Sequence, residues 1–269
     1  MVLCRRNRNG AAILASGRYP LVEICVEGID GLLAAQENGA DRVELCASLI
    51  EGGITPSYGT IREALRRATI PFHVIVRPRG GDFLYSETEF ASMLADVAAC
   101  REVGVAGVVV GCLTADGRID EDRVAALVTA AGPLAVTCHR AFDMTRDPSE
   151  ALEALVRCGV GRVLTSGQRD SAEEGAALLA RLVKQAGERI VVMGCGGLDP
   201  GNAARIVAAT GLKEIHFAAP RDVPSRMAFR NSRIGMGGTS LDREYTSTIT
   251  DGELVAATIA AARGADRPA

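Results

Sequence analysis

The sequence predicts an α/β protein, a single-domain (β/α)8 TIM barrel over residues 20–269, on three observations. Eight short β-branched runs alternate with amphipathic helical stretches along the chain, and only a crossover helix returns the chain to the same end of a sheet. A glycine joint recurs where helices hand over to strands. No GxGxxG follows the first strand, which argues against an open, doubly wound dinucleotide fold and against a nucleotide cofactor.

The strands are expected at Leu21–Glu27, Arg42–Ala47, Phe72–Arg77, Gly107–Leu113, Leu134–His139, Arg162–Ser166, Ile190–Gly194 and Glu214–Ala218. Gly39 precedes Val43, Gly104 precedes Val108, Gly159 precedes Val163 and Gly211 precedes Ile215, all at one spacing. Glycine there supplies a left-handed helix cap before an apolar residue enters the sheet. Helix starts are marked by Ser86 with Glu89, a capping box, and by the Asp147-Pro148 and Asp199-Pro200 pairs. The stretch from Ala219 to Asp251 is too long for a plain connection and is expected to pack on the barrel rim or against a second copy.

A net charge of −3, an isoelectric point near 5.7 and 4% aromatics without Trp leave no footprint for nucleic acid. No apolar run is long enough to cross a bilayer, so no membrane partner is expected. Residues 1–19, with Arg5, Arg6, Arg8 and Arg18 around Asn7, Asn9 and Gly10, read as a disordered N-terminal extension rather than an export signal. Eight cysteines scattered through strand-like and helix-like segments read as reduced thiols, hence a cytoplasmic protein.

Alternation along each strand sorts side chains by face. Val22, Ile24 and Val26 should meet the helices, leaving Glu23 and Cys25 inside; Val43 and Leu45 do the same, leaving Glu44 and Cys46 inside. Thr137 and His139 face in beside outward Val136 and Cys138, and Glu214 and His216 face in beside Ile215 and Phe217. His73, next to Pro71, reads as structural. Arg77, Arg79 and Asp82 follow the third strand, His139, Arg140 and Asp143 end the fifth, Ser166 and Gly167 end the sixth, and Gly196-Gly197 follows the seventh. Carboxyl ends of barrel strands are where barrel enzymes build their sites. The candidate proton-transfer groups are therefore Glu23, Glu44, His139 and Asp143. Arg77, Arg79, Asp82, Arg140, Ser166, Gly167, Gly196, Gly197 and His216 are candidates to bind a small anionic ligand, with the glycine turn as a phosphate cradle.

The stretches GADRVELC (39–46), EGGITPS (51–57), RPRGGDFLYS (77–86), PLAVTCHRAFDM (133–144), RVLTSG (162–167) and FRNSRIGMG (229–237) together resemble the CutC family of copper homeostasis proteins, from about Leu21 to Arg263. The resemblance implies a cytoplasmic barrel that self-associates as a dimer or tetramer, with copper as ligand. It also implies a Cu(I) site at Cys25 and Cys46, the pair that alternation places inside, and two thiolates suit a soft monovalent ion. Two features depart from the family pattern: Cys138 before His139, and Cys195 in the turn after the seventh strand. The arginines and His139 do nothing for Cu(I), so a barrel enzyme acting on a phosphorylated or carboxylated substrate stands as the alternative.

Overall fold

The computed structural model describes residues 20–231, 233–236 and 241–264, with a two-residue pairing of Arg5–Arg6 and Ala12–Ile13 ahead of them. The rest of the extension expected over residues 1–19 lies outside the described residues. Eight strands close a parallel barrel: β1 (Leu21–Glu27), β2 (Arg42–Cys46), β3 (Phe72–Ile75), β4 (Gly107–Val110), β5 (Ala135–Cys138), β6 (Arg162–Thr165), β7 (Val191–Cys195) and β8 (Glu214–Phe217). Each is followed by one helix: α1 (Gly28–Glu37), α2 (Tyr58–Arg67), α3 (Glu87–Val103), α4 (Glu121–Ala131), α5 (Pro148–Arg157), α6 (Ala176–Ala186), α7 (Ala203–Thr210) and α8 (Gly252–Gly264).

The punctuation works as the residues require. Gly39, Gly104, Gly159 and Gly211 all have positive φ, a conformation that costs other residues more. Ser86 and Glu89 form the full capping box of α3, and Asp147 caps α5 with Pro148 in its first turn. The helix expected at Asp199-Pro200 begins later, at Ala203. There the Asp199 carboxylate accepts from the N–H groups of Gly201 and Asn202 and closes a turn first. Several strands also end sooner than expected. Val76 N–H still donates to the Val109 carbonyl at 2.8 Å, but the Arg77 carbonyl accepts from Thr55 N–H at 3.0 Å, so from Arg77 on the chain is held by a loop instead of the sheet.

The main core lies between the sheet and the helices. Val22, Ile24, Val26, Val43, Leu45, Val136, Cys138, Ile215 and Phe217 all belong to it, so the predicted outward faces are those observed. A fully buried Leu or Ile contributes ~1.5–3 kcal/mol. Inside the barrel are two small apolar clusters, one of Cys46, Ile75 and Val109, the other of Leu164, Met193 and Cys195. The segment after β8 forms a ribbon, β9 (Pro220–Pro224) antiparallel to β10 (Thr246–Thr250), whose root packs on α1.

Candidate functional site

The amino-terminal half of the barrel interior is a closed ionic layer. Arg42 bridges Glu23 and Glu214, the latter at 2.7 Å, and Arg162 grips the same Glu214 at 2.6 and 3.1 Å. Arg162 also donates to Thr137 Oγ1 at 3.2 Å. Burial pushes the Glu23 carboxyl up, but Arg42 and the His216 hydrogen bond more than reverse it, and its pKa lies well below the usual range. His73 stands 4.0 Å from Glu23, and burial, with Arg42 nearby, depresses its pKa to about 3. A neutral, buried His73 is the structural residue that its position predicts. Arg42 and Arg162 were not singled out from the sequence. Alternation carried the signal, since Arg42 shares a face with Glu44.

Above this layer lies a second group. His216 Nδ1 is 2.9 Å from Glu23 Oε1, and its Nε2 is 3.8 Å from Glu44 Oε2. Glu44 Oε2 lies 3.5 Å from Cys46 Sγ, and Cys46 Sγ lies 3.7 Å from Cys25 Sγ. The two cysteines do not stand side by side in the strand register. Cys25 is opposite Glu44, and Cys46 opposite Glu27. The sulfurs meet diagonally, because inward side chains of neighbouring tilted strands interleave along the axis. Cys25, Glu44 and Cys46 each offer a ligand atom within 4.8 Å of the others.

The electrostatics split this group. The Cys46 hydrogen bond, opposed by burial and aided by His216, lowers the Cys25 thiol to about 5. Burial and the neighbouring Cys25 raise Glu44 well above the carboxylate range, so Glu44 is a neutral acid beside a thiolate. Burial disfavours the His216 imidazolium, but Cys25, Glu23 and Glu44 outweigh it and raise the pKa. Both ring nitrogens then donate. Glu44 Oε1 is buried without a hydrogen-bond partner.

Of the residues expected to bind an anion, the two arginines after β3 are turned to other partners. The Arg77 guanidinium is committed to the carbonyls of Glu51 at 2.6 Å, Gly53 at 2.9 Å and Gly81 at 2.9 Å. Arg79 binds Glu89, Asp82 and the carbonyls of Gly80, Asp82 and Leu84. Both arginines order their loops instead of facing a ligand. His139 Nδ1 accepts from Ala141 N–H at 3.2 Å, which leaves the proton on Nε2, and that atom is buried without a partner. Burial and Arg77 depress its pKa to about 3. Phe83 stacks between the two, 5.0 Å from the His139 ring and 5.1 Å from the Arg77 guanidinium carbon.

Asp143 is likewise a scaffold. It accepts from Thr165 Oγ1 at 2.5 Å, from Arg140 Nε at 2.8 Å, and from the N–H groups of Ser166 and Gln168. Arg140 also donates to Ser166 Oγ at 2.8 Å, and Gly167 N–H donates to Thr165 Oγ1. The amides of the β6 loop are therefore filled from within, and the Asp143 carboxylate is engaged on both oxygens. Gly196 and Gly197 have positive φ as the turn demands. A Cβ at Gly196 would stand 3.1 Å from Ser166 Cβ, so this turn packs against the β6 loop. Cys195 packs with Leu164 and Met193.

A closed parallel (β/α)8 barrel with two converging thiols, a neutral acid and an imidazole at the carboxyl ends of its strands defines the class. The chain belongs to the CutC family, whose model matches residues 20–220. It is 73% identical over 246 residues to the CutC family protein of Mesorhizobium japonicum, covering 91% of this chain and 95% of that one. It is 51% identical to that of Chromobacterium violaceum, covering 88% and 96%. The crystal structure of CutC from Streptococcus agalactiae, whose name refers to copper homeostasis, superposes with a TM-score of 0.70 at 34% identity, covering 74% of this chain and 98% of that one.

Proposed function

We propose that this protein takes Cu(I) as cargo between Cys25 and Cys46. The observation that carries the reading is the 3.7 Å separation of their sulfurs at the barrel mouth. Two metal–thiolate bonds of roughly 2.3 Å each can bridge up to about 4.6 Å, so the pair needs no rearrangement to share one ion. Thiolates suit a soft monovalent cation better than the Glu44 carboxyl does. The Cys25 thiol is already acidic, with His216 on Glu23 supplying positive charge that favours the thiolate, whereas the hydrogen bond to Cys25 and burial push the Cys46 thiol well up, so Cys46 gives up its proton on binding. The reading places the protein in a reducing cytoplasm, in keeping with its seven described cysteines, all free thiols. No helix among the described residues is long and apolar enough to cross a membrane.

The test is an anaerobic Cu(I) titration against a competing chelator. One tightly bound ion per chain is expected for the wild type. The Cys25→Ser, Cys46→Ser double variant should bind more weakly by over ~100-fold, beyond the 10–100-fold cost of losing a supporting group. Equal affinity in both proteins overturns the site.

The enzyme reading, a barrel acting on a small anionic substrate, keeps one observation. Glu23 and Glu44 are carboxyls whose environments push their pKa values apart, a pattern of acid–base pairs. Two of its arginines have other partners, because the terminal nitrogens of Arg77 donate to the carbonyls of Glu51, Gly53 and Gly81 and Arg79 binds Glu89, Asp82 and its own loop, while Arg77 Nε is buried without a partner.

A further inference from the structure

The 3.7 Å between Cys25 Sγ and Cys46 Sγ has an angular meaning. With metal–sulfur bonds of roughly 2.3 Å, a linear ion holds its two thiolates about 4.6 Å apart and a tetrahedral ion about 3.8 Å. The observed spacing is the tetrahedral one. A second pair agrees with it. On a tetrahedral ion a thiolate and a carboxylate oxygen stand about 3.5 Å apart, from bonds of roughly 2.3 and 2.0 Å. Glu44 Oε2 is 3.5 Å from Cys46 Sγ.

Two-coordinate Cu(I) uses neither an oxygen nor a nitrogen ligand, yet both are on offer here. Glu44 is 3% exposed, and its Oε1 has no hydrogen-bond partner. Among the described residues, Cys25, Glu44 and Cys46 bring one ligand atom each within 4.8 Å of the other two. His216 Nε2 stands beside them, 3.8 Å from Glu44 Oε2. It is the outermost of the four. An imidazole nitrogen and a carboxylate oxygen on one tetrahedral ion are about 3.4 Å apart, so the ring must close on the ion.

The groups behind these ligands also suit a metal. His216 Nδ1 lies 2.9 Å from Glu23 Oε1, and Arg42 binds that carboxylate in turn. A metal-bound histidine commonly gives its other ring N–H to a carboxylate, which fixes the ring and aims the remaining nitrogen at the ion. Glu23 does this for His216. On the loop after β2, a Cβ at Gly53 would stand 3.1 Å from Cys46 Sγ, so the loop backbone closes over that sulfur. Cys46, Glu44 and Glu23 are buried, whereas Cys25 is only partly so and marks the way in.

From these features we infer that the site takes a four-coordinate divalent ion, zinc, on Cys25 Sγ, Cys46 Sγ, Glu44 Oε2 and His216 Nε2. A tetrahedral set with two sulfurs is a zinc set. All four positions are filled by protein atoms, as in a structural zinc site, and none is left open for a substrate. Cys46, Glu44 and His216 carry protons in the metal-free protein, and binding releases them. Zinc and Cu(I) exclude one another, because they share both thiols. The inference goes beyond the copper reading and stands without it, since it needs Glu44 and His216 as ligands and copper does not.

Anaerobic titration of the metal-free full chain with Zn(II), and with Co(II) as its spectroscopic stand-in, tests it. One Co(II) per chain should bind with the intense visible absorption of four-coordinate cobalt and with sulfur-to-cobalt charge transfer, and Zn(II) should displace it. X-ray absorption of the zinc form should show two sulfurs at roughly 2.3 Å and two nitrogen or oxygen ligands at roughly 2.0–2.1 Å. Both measurements are made on the wild type and do not depend on a variant folding. Glu44→Gln keeps the shape of the side chain, and His216→Asn keeps an N–H for Glu23 while removing Nε2. Each should weaken Zn(II) by more than ~10-fold, the least that loss of even a supporting group costs, with unchanged circular dichroism. Both should retain Cu(I), which needs only the thiols. Octahedral cobalt without charge transfer, a zinc shell lacking two sulfurs, or unchanged zinc affinity in either folded variant overturns the inference. A wild type that takes Cu(I) but no zinc also overturns it and leaves the copper reading standing. Zinc bound and Cu(I) refused supports it and removes the copper reading alone.

Discussion

The two halves of the barrel interior hold the same kinds of residue and treat them in opposite ways. In the lower half Arg42 and Arg162 meet Glu23 and Glu214, and each charge has a partner of the other sign within hydrogen-bonding distance. In the upper half Glu44 has no base to itself, and its Oε1 has no hydrogen-bond partner. Its neighbours are two thiols and an imidazole already engaged by Glu23. A buried charge without a partner is costly, so Glu44 takes up its proton, whereas Glu23 keeps its charge. The lower half spends no chemistry. The upper half holds an incomplete set of donors and acceptors, which is what a ligand can complete.

The largest effect should come from breaking the compensation. Arg42→Met leaves Glu23 and Glu214 buried without their shared cation, and removing one partner of a buried pair costs ~3–5 kcal/mol. Urea unfolding monitored by circular dichroism measures it, and adding Glu214→Gln to the same chain should recover part of the loss. A cost below ~1 kcal/mol would show that the lower layer is not held by its charges.

The sequence displays this division unevenly, and the reason is physical. Period-two alternation tells which residues face inward, so Glu23, Cys25, Glu44, Cys46, His139, Glu214 and His216 could all be placed in the interior. Depth along the axis is a different quantity. It depends on strand tilt and on the stagger between neighbours, to which no single strand's pattern refers. Glu23 and Glu44 therefore looked alike, though one sits on Arg42 and the other beside Cys46. Loop side chains were the least legible. Arg77, Arg79 and Asp143 carry the residue types of a binding site, but Arg77 and Asp143 are held mostly by groups of neighbouring loops and Arg79 by carboxylates and carbonyls near it in the chain, partners invisible until those loops are folded. The diagonal meeting of Cys25 and Cys46 was hidden for the same reason as depth.

A smaller effect separates His139 from the charged groups. Its folded pKa is depressed to about 3, so between there and the ordinary 6.5 the unfolded chain binds a proton that the folded chain does not. The stability it contributes is complete above pH 6.5 and is lost as pH falls through that window, by up to about 1.4 kcal/mol per unit. Other groups titrate in the same range, so the quantity to read is the difference between wild type and His139→Asn. That difference should shrink as pH is lowered from 7 to 5, followed by urea midpoints. A difference independent of pH would mean that His139 is not held neutral.

The smallest effect sharpens the comparison most. Glu44→Gln replaces a carboxylic acid with an amide of the same shape, and if Glu44 is already protonated at neutral pH no charge is removed. Metal-free protein should then lose no more than about 1 kcal/mol, the net worth of one neutral hydrogen bond. Glu23→Gln is its counterpart. It takes the anion from between Arg42 and His216 and should cost several times more, as loss of a hydrogen-bonded buried charge does. Equal losses from the two isosteric changes would refute the split. An ionised Glu44 would have to be held by Cys46 and His216 at 3.5 and 3.8 Å, distances too long for strong charge-assisted bonds. The pair of variants therefore asks which carboxyl carries the negative charge that His216 answers. The geometry assigns it to Glu23, 2.9 Å from the imidazole, and leaves Glu44 as the neutral wall of the thiol site.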